Sequence, residues 1–200
     1  MGLFTPRHRS DIADMVAQEV LGLVTTCDED GFVSTPLPLL AELDEDGEVR
    51  ALIGHFARSN PHVARAGRTP HALVSFFGPH GYVAPSLVSK PDWAPTWNYR
   101  LAQFDVIIDF APDQASGDEA IRRLVAAMEG NDADSWTVAR IGARYDDLVS
   151  RVIAFRAEVL KVSATFKLGQ DEESKTFGEI VAGLKNSELA AQMRNQQGDR

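Results

Sequence analysis

LGLVTTCDEDGFVSTPLPLLAELDEDGEVRALIGH, residues 21–55, decides how the chain is read. Leu21 to Cys27 is apolar and β-branched, the composition of a strand. Asp28-Glu29-Asp30-Gly31 then closes a turn, and the same tetrapeptide returns at Asp44-Glu45-Asp46-Gly47. Asp-Gly supplies the positive φ of a tight hairpin, and the aspartate side chain bonds its own backbone two residues on. Phe32 to Leu43 and Glu48 to His55 therefore read as the next strands of an antiparallel meander. Pro36 and Pro38 lack N–H donors and mark an edge or a bulge in the middle strand.

Upstream, Ser10 precedes Asp11, Ile12, Met15, Val16 and Glu19, an N-cap followed by a helical stripe. Downstream, Asn60-Pro61 reads as a cap followed by proline at the first helical position, with Gly67 able to end that short helix. Ala72 to Phe77 and Phe104 to Phe110 read as strands, and Pro85 to Thr96, with three prolines, as an ordered loop. Asp118 opens a helix, a second runs near Trp136 to Tyr145, and Ile153 to Val159 alternates as a last long strand. A further helix is expected around Phe177 to Leu184. Residues 1–185 read as one domain and 186–200 as a polar C-terminal tail. Short strands joined by regular turns, with helices added, describe a small α+β barrel.

Charge narrows the function. Lys and Arg total 20 against 29 Asp and Glu, a net charge of −9, which opposes direct DNA binding because phosphate neutralisation supplies much of that affinity. One cysteine, Cys27, rules out an internal disulfide framework and suits a reducing compartment. The opening residues lack a secretory apolar core and no stretch has the length of a membrane span, so a soluble cytoplasmic protein is expected. The histidines His8, His55, His62, His71 and His80 lack Cys/His ligand spacing, so no metal site is expected. Gly-x-Ser-x-Gly and Walker-type loops are missing, and the acid pairs look like turn carboxylates.

Three words carry a resemblance. Gly54-His55-Phe56-Ala57-Arg58-Ser59-Asn60-Pro61-His62, Phe77-Gly78-Pro79-His80-Gly81-Tyr82-Val83-Ala84-Pro85-Ser86 and Pro95-Thr96-Trp97-Asn98-Tyr99 follow one another as the signature words of the PaiB family do. Lys167-Leu168-Gly169-Gln170 resembles that family's closing word, and the likeness runs from Pro6 to Leu184. Two departures stand out. Asp171 and Glu172 follow Gln170 where the family continues Asn-Arg, and the opening pattern survives only as Phe4, Pro6 and His8.

The resemblance implies an antiparallel six-stranded split β-barrel of the FMN-binding type with peripheral helices. It implies a homodimer holding FMN in clefts between subunits, in a family described as negative transcriptional regulators. Within those words Arg58 offers a planar fork for phosphate oxygens, and Ala57, Ser59 and Asn60 add a hydroxyl and amides at a helix start. Asn60 serves equally as a plain cap. His55 suits a flavin or phosphate contact or a structural role. Trp97 suits a ring wall or an interface anchor, with Thr96 and Asn98 beside it. Lys167 and Gln170 are candidates for the flavin pyrimidine edge. A regulatory or redox-sensing flavoprotein, acting through a protein partner, is the first reading. The alternative is an FMN-dependent oxidoreductase of the flavin reductase or pyridoxamine-phosphate-oxidase type. No catalytic residue is assigned.

Overall fold

The computed structural model describes residues 2–130 and 132–198. Both doubled turns form as their residues dictate. Asp28 Oδ1 accepts from Asp30 N at 3.0 Å, and Asp44 Oδ1 accepts from Asp46 N and Glu48 N at 3.0 and 2.9 Å. Gly31 and Gly47 sit at φ +93° and +78°, where an L side chain is strained.

The first turn joins β1 (Leu21–Asp28) to β2 (Gly31–Pro38), and the second joins β3 (Leu40–Leu43) to β4 (Val49–Ala57). The expected middle strand is thus two strands, parted at Leu39, and they do not pair. With β5 (His71–Phe77), β7 (Thr96–Ala111) and β8 (Val152–Lys167), the strand order is β2-β1-β5-β7-β8-β4-β3. β6 (Gly81–Val83) adds to β7, which makes eight antiparallel strands among the described residues, not six. The two strands at opposite ends of the sheet are consecutive in the chain. Only a sheet curled round on itself allows that, and its ends meet through one residue rather than through a ladder.

Leu39 fills that seam. It is fully buried, and its amide donates to Val20 O at 2.8 Å. A Cβ on Gly22 would stand 2.8 Å from Leu39 Cδ1, and one on Gly54 would stand 2.5 Å from Cδ2. Glycine on β1 and glycine on β4 leave the hollow that the leucine occupies. Around it the fully buried Phe56, Phe76 and Phe104 and the nearly buried Phe155 form the interior. Phe56 and Phe155 have ring centroids 5.2 Å apart, and Phe76 meets Phe104 edge-on at 5.9 Å.

β7 and β8 are longer than the alternation suggests, sixteen residues each, and pair from Tyr99↔Lys167 to Ala111↔Ala154. Asp105 pairs with Lys161 and Val106 with Val159, so Leu160 is the extra residue of a bulge, the device that bends a long ribbon. The expected loop from Pro85 to Thr96 contains a 3-10 turn at Pro85–Leu87, and Thr96 begins β7.

The helices are α1 (Ser10–Glu19), α2 (Pro61–Arg68), α3 (Gln114–Glu129), α4 (Tyr145–Ser150), α5 (Ser174–Gly183) and α6 (Ser187–Gln197). Ser10 does not cap α1; Asp11 Oδ2 takes the His8 amide at 2.7 Å instead. α3 starts before Asp118, where Asp113 accepts from Ser116 N at 2.9 Å. Trp136 to Tyr145 holds 3-10 turns over Val138–Arg144 that lead into α4. The stretch expected as a polar tail carries α6. Asn186 Oδ1 caps it by accepting from Glu188 N and Leu189 N at 3.1 Å, and Leu189, Ala190 and Met193 are buried on its inner face. None of the described helices is long and apolar enough to cross a membrane.

Candidate functional site

The end of β4 and the start of α2 hold His55 to Asn60. Phe56 points into the core, His55 is half-buried, and Ala57, Arg58 and Ser59 are exposed. Burial lowers the pKa of the His55 imidazole. The Arg58 amide donates to Arg151 O at 2.8 Å, its Nε to Ser150 O at 3.1 Å and its Nη2 to Pro112 O. The guanidinium is thereby held in plane by two carbonyls, with both N–H groups of Nη1 and one of Nη2 remaining as donors. Asn60 caps α2 as its spacing predicts, accepting from His62 N at 2.9 Å.

Behind this rim lies a histidine that the signature word contains but to which no role was given. His62 is fully buried, with Nε2 3.0 Å from Thr26 Oγ1 and Nδ1 2.9 Å from Thr35 Oγ1. A neutral imidazole donates through one nitrogen and accepts through the other, so two hydroxyls satisfy it. Three positions further along α2, Arg65 forms a bidentate pair with Asp28, which holds that carboxyl below the usual carboxylate range. The cap two residues earlier was the available signal: a side chain at the second helical position of α2 faces the strands that α2 covers.

Burial, and next the Arg65 charge, lower the His62 pKa. The unfolded chain binds that proton near pH 6.5 and the folded one resists it. The stability contributed is therefore present above about pH 6.5 and is lost as pH falls through the folded value. Thermal melts at pH 7.5 and 5.5 should show the wild type losing more melting temperature on acidification than His62→Gln. Parallel pH slopes would remove His62 from the account.

The remaining candidates sit elsewhere. Trp97 pairs with Tyr82 across β6 and β7, is half exposed, and stacks on His80 with centroids 6.0 Å apart and planes at 26°. Asn98, expected beside it at a ring edge, faces the other way. Successive strand residues point to opposite sides, so Asn98 is buried, its Nδ2 3.5 Å from Met193 Sδ. Lys167 Nζ donates to Thr96 Oγ1. The Gln170 side chain closes its own turn, accepting from Leu168 N at 2.7 Å and donating to Phe166 O, with Gly169 at φ +84°. Glu172, one of the departures, accepts from Trp93 Nε1 at 3.0 and 3.1 Å.

Strand register fixes how many residues part the two groups along β8. Ala57 pairs with Val152 and Tyr99 with Lys167, so the groups flank opposite ends of β8, fifteen residues apart. At 3.3 Å per residue that is roughly 50 Å if straight. Between them, the outer face of the sheet presents Leu21 and Leu23 on β1 and Leu73 and Phe77 on β5, each 40–60% exposed. Among the described residues no group of three or more His, Cys, Asp or Glu is placed to hold a metal.

A curled antiparallel sheet with peripheral helices is the fold that this chain shares with the solved structures named below. Residues 3–161 match the model of the family described as "Putative FMN-binding domain", and the chain belongs to that family. It is 23% identical over 185 residues to "Protease synthase and sporulation protein PAI 2" of Bacillus subtilis (strain 168), covering 92% of this chain and 88% of that protein. Among solved structures, it is similar to the flavocytochrome Anf3 of Azotobacter vinelandii, with a TM-score of 0.61, 12% identity, and 82% and 69% of the two chains covered. A conserved hypothetical protein of Mycobacterium tuberculosis gives a TM-score of 0.58 at 12% identity, over 87% and 94%.

Proposed function

We propose that this FMN-binding protein works as a homodimer in the cytoplasm, each flavin held between the Arg58 end of one protomer and the Trp97 end of the other. The carrying observation is the separation along β8: one protomer keeps its phosphate-type donors and its exposed aromatic wall at opposite ends of a sixteen-residue strand. An antiparallel second copy brings the opposite ends together, and the apolar row of Leu21, Leu23, Leu73 and Phe77 supplies surface for it to cover.

The residues present fit the group. Arg58, Ser59 and the half-buried His55 suit a dianionic phosphate, and the fixed guanidinium plane reduces the ordering needed on binding. Trp97, stacked on His80 beside Tyr82, offers a flat wall for the isoalloxazine, and Lys167 a cation near its edge. When bound, FMN supplies the redox chemistry. What the chain contributes is orientation and exclusion of water.

The first reading of its role is regulatory or redox-sensing, in keeping with the sporulation protein it resembles. A dimer carries −18, twice −9, so the effect should run through a protein partner rather than through tight DNA binding. A promoter-fragment titration at physiological salt should give no submicromolar complex that survives competitor DNA. Anaerobic bleaching of the bound flavin by NAD(P)H would favour the oxidoreductase reading instead.

Arg58→Ala tests the phosphate assignment. It should weaken FMN binding by roughly 1.5–3 kcal/mol, the range for a hydrogen bond to a charged group. The loss of its contacts to Ser150 O and Pro112 O should also lower the melting temperature slightly. Unchanged affinity in a fluorescence titration of folded protein would reject the assignment.

A further inference from the structure

Beside the Lys167–Gln170 end of β8, α1, α6 and the ends of β7 and β8 line a pocket of about 110 Å³. One water occupies roughly 30 Å³ in the liquid, so this space takes a small solute. Arg100, from β7, forms its inner wall. Its side chain is 3% exposed, its guanidinium lies 5.5 Å from the Phe166 ring centroid, and Nη2 donates to Gln18 Oε1 at 3.1 Å and Glu19 Oε1 at 3.3 Å. Its Nε is buried without a hydrogen-bond partner among the described residues. That Nε packs against Gly78, where an added Cβ would stand 2.9 Å from it, so Nη1 is the donor group left for a ligand.

The lining also carries the other sign. Asp11 and Asp14 from α1 line the cavity, and Gln192 and Asn195 of α6 close it with amides. Gln192 Nε2 reaches Gln18 Oε1 at 3.4 Å, and Arg7 Nη1 holds Asn195 O at 3.2 Å, so α6 is fastened over the opening. A lone anion entering here gains Arg100 but meets two carboxylates with Glu19 behind. A lone cation gains the carboxylates but meets the guanidinium. A molecule bearing both charges a few bonds apart satisfies both walls.

We propose that this cavity is a binding site for a small zwitterion, an ω- or α-amino acid of a few non-hydrogen atoms, its carboxylate on Arg100 and its ammonium toward Asp11 and Asp14. Arg100, Asp11 and Asp14 are not among the residues proposed to hold the flavin, so failure of this proposal leaves that reading standing. Because α6 supplies one wall, occupancy also favours its docked position.

Calorimetric titration of the full-length purified protein with glycine and β-alanine, and with acetate and methylammonium as single-charge controls, tests this. At least one zwitterion should bind saturably, one per chain, and more tightly than either control. Arg100→Gln and Asp14→Asn should each weaken it about tenfold or more. Asp14 is exposed on α1, so its variant keeps the test valid even if Arg100→Gln fails to fold. Saturation by neither zwitterion at millimolar concentration, acetate binding as well as glycine, or full affinity in Asp14→Asn would each overturn the proposal.

Discussion

Leu39→Ala is expected to lower unfolding free energy by about 3–5 kcal/mol, the upper part of the range for burying a cavity where a leucine was. The reason is local. Leu39 is fully buried between two glycines, one on each side of the seam, with the rings of Phe76 and Phe155 beside them. Those backbones are already committed to pairing, β1 with β2 and β5, β4 with β3 and β8, so they cannot slide in to refill the space. Gly54→Ala should destabilise from the opposite direction, by overpacking. Its cost should shrink in the Leu39→Ala background, because the methyl would enter the vacated hollow. Urea denaturation of the two single variants and the double variant measures this. Additive losses would mean that the seam does not act as one packed unit.

The second large effect concerns assembly. Leu73 and Phe77 project outward from β5 and are 40% and 60% exposed, so placing lysine at both leaves the core of a protomer untouched. If the dimer covers this row, Leu73→Lys with Phe77→Lys buries like charges across a two-fold interface, and each buried unpaired ammonium costs several kcal/mol. Light scattering should then find a monomer with near-native circular dichroism. The same preparation should have lost its flavin absorbance, since each cleft needs both copies. A variant that stays dimeric and yellow would refute the proposed interface. A monomer that stays yellow would refute the shared cleft alone.

Much of this could be read from the residues, and the misses have physical causes. The Asp-Glu-Asp-Gly turns were legible because the side-chain bonds and positive φ that they need are local. So was the Asn60 cap. Pairing partners were not. Period-two alternation says which face a residue takes, never which strand lies beside it, so residues 32–43 read as one strand when they serve both edges of the sheet. Alternation did carry the information that Trp97 and Asn98 face opposite ways, but the family word drew them together as one contact. Gln170 was a candidate for the flavin edge, and Gly169 beside it already marked the turn that its amide closes. α6 was hidden by its composition: Leu189, Ala190 and Met193 at helical spacing are few against the polar residues around them.

The placing of β4 sets the order in which the molecule can be completed. Its inner neighbour is β8, and Ala51 finds Glu158 more than a hundred residues later in the chain. Hairpins such as β1–β2 and β3–β4 close early, over a few residues, but β4 has no strand to pair with on its inner side until the distant strand emerges. During synthesis the GHFARSNPH segment, residues 54–62, therefore waits as an open edge while most of the protein is made. Nascent chains that stop short of residue 158 should expose it to proteases and to one another, so the segment proposed to hold the flavin phosphate is completed late in synthesis.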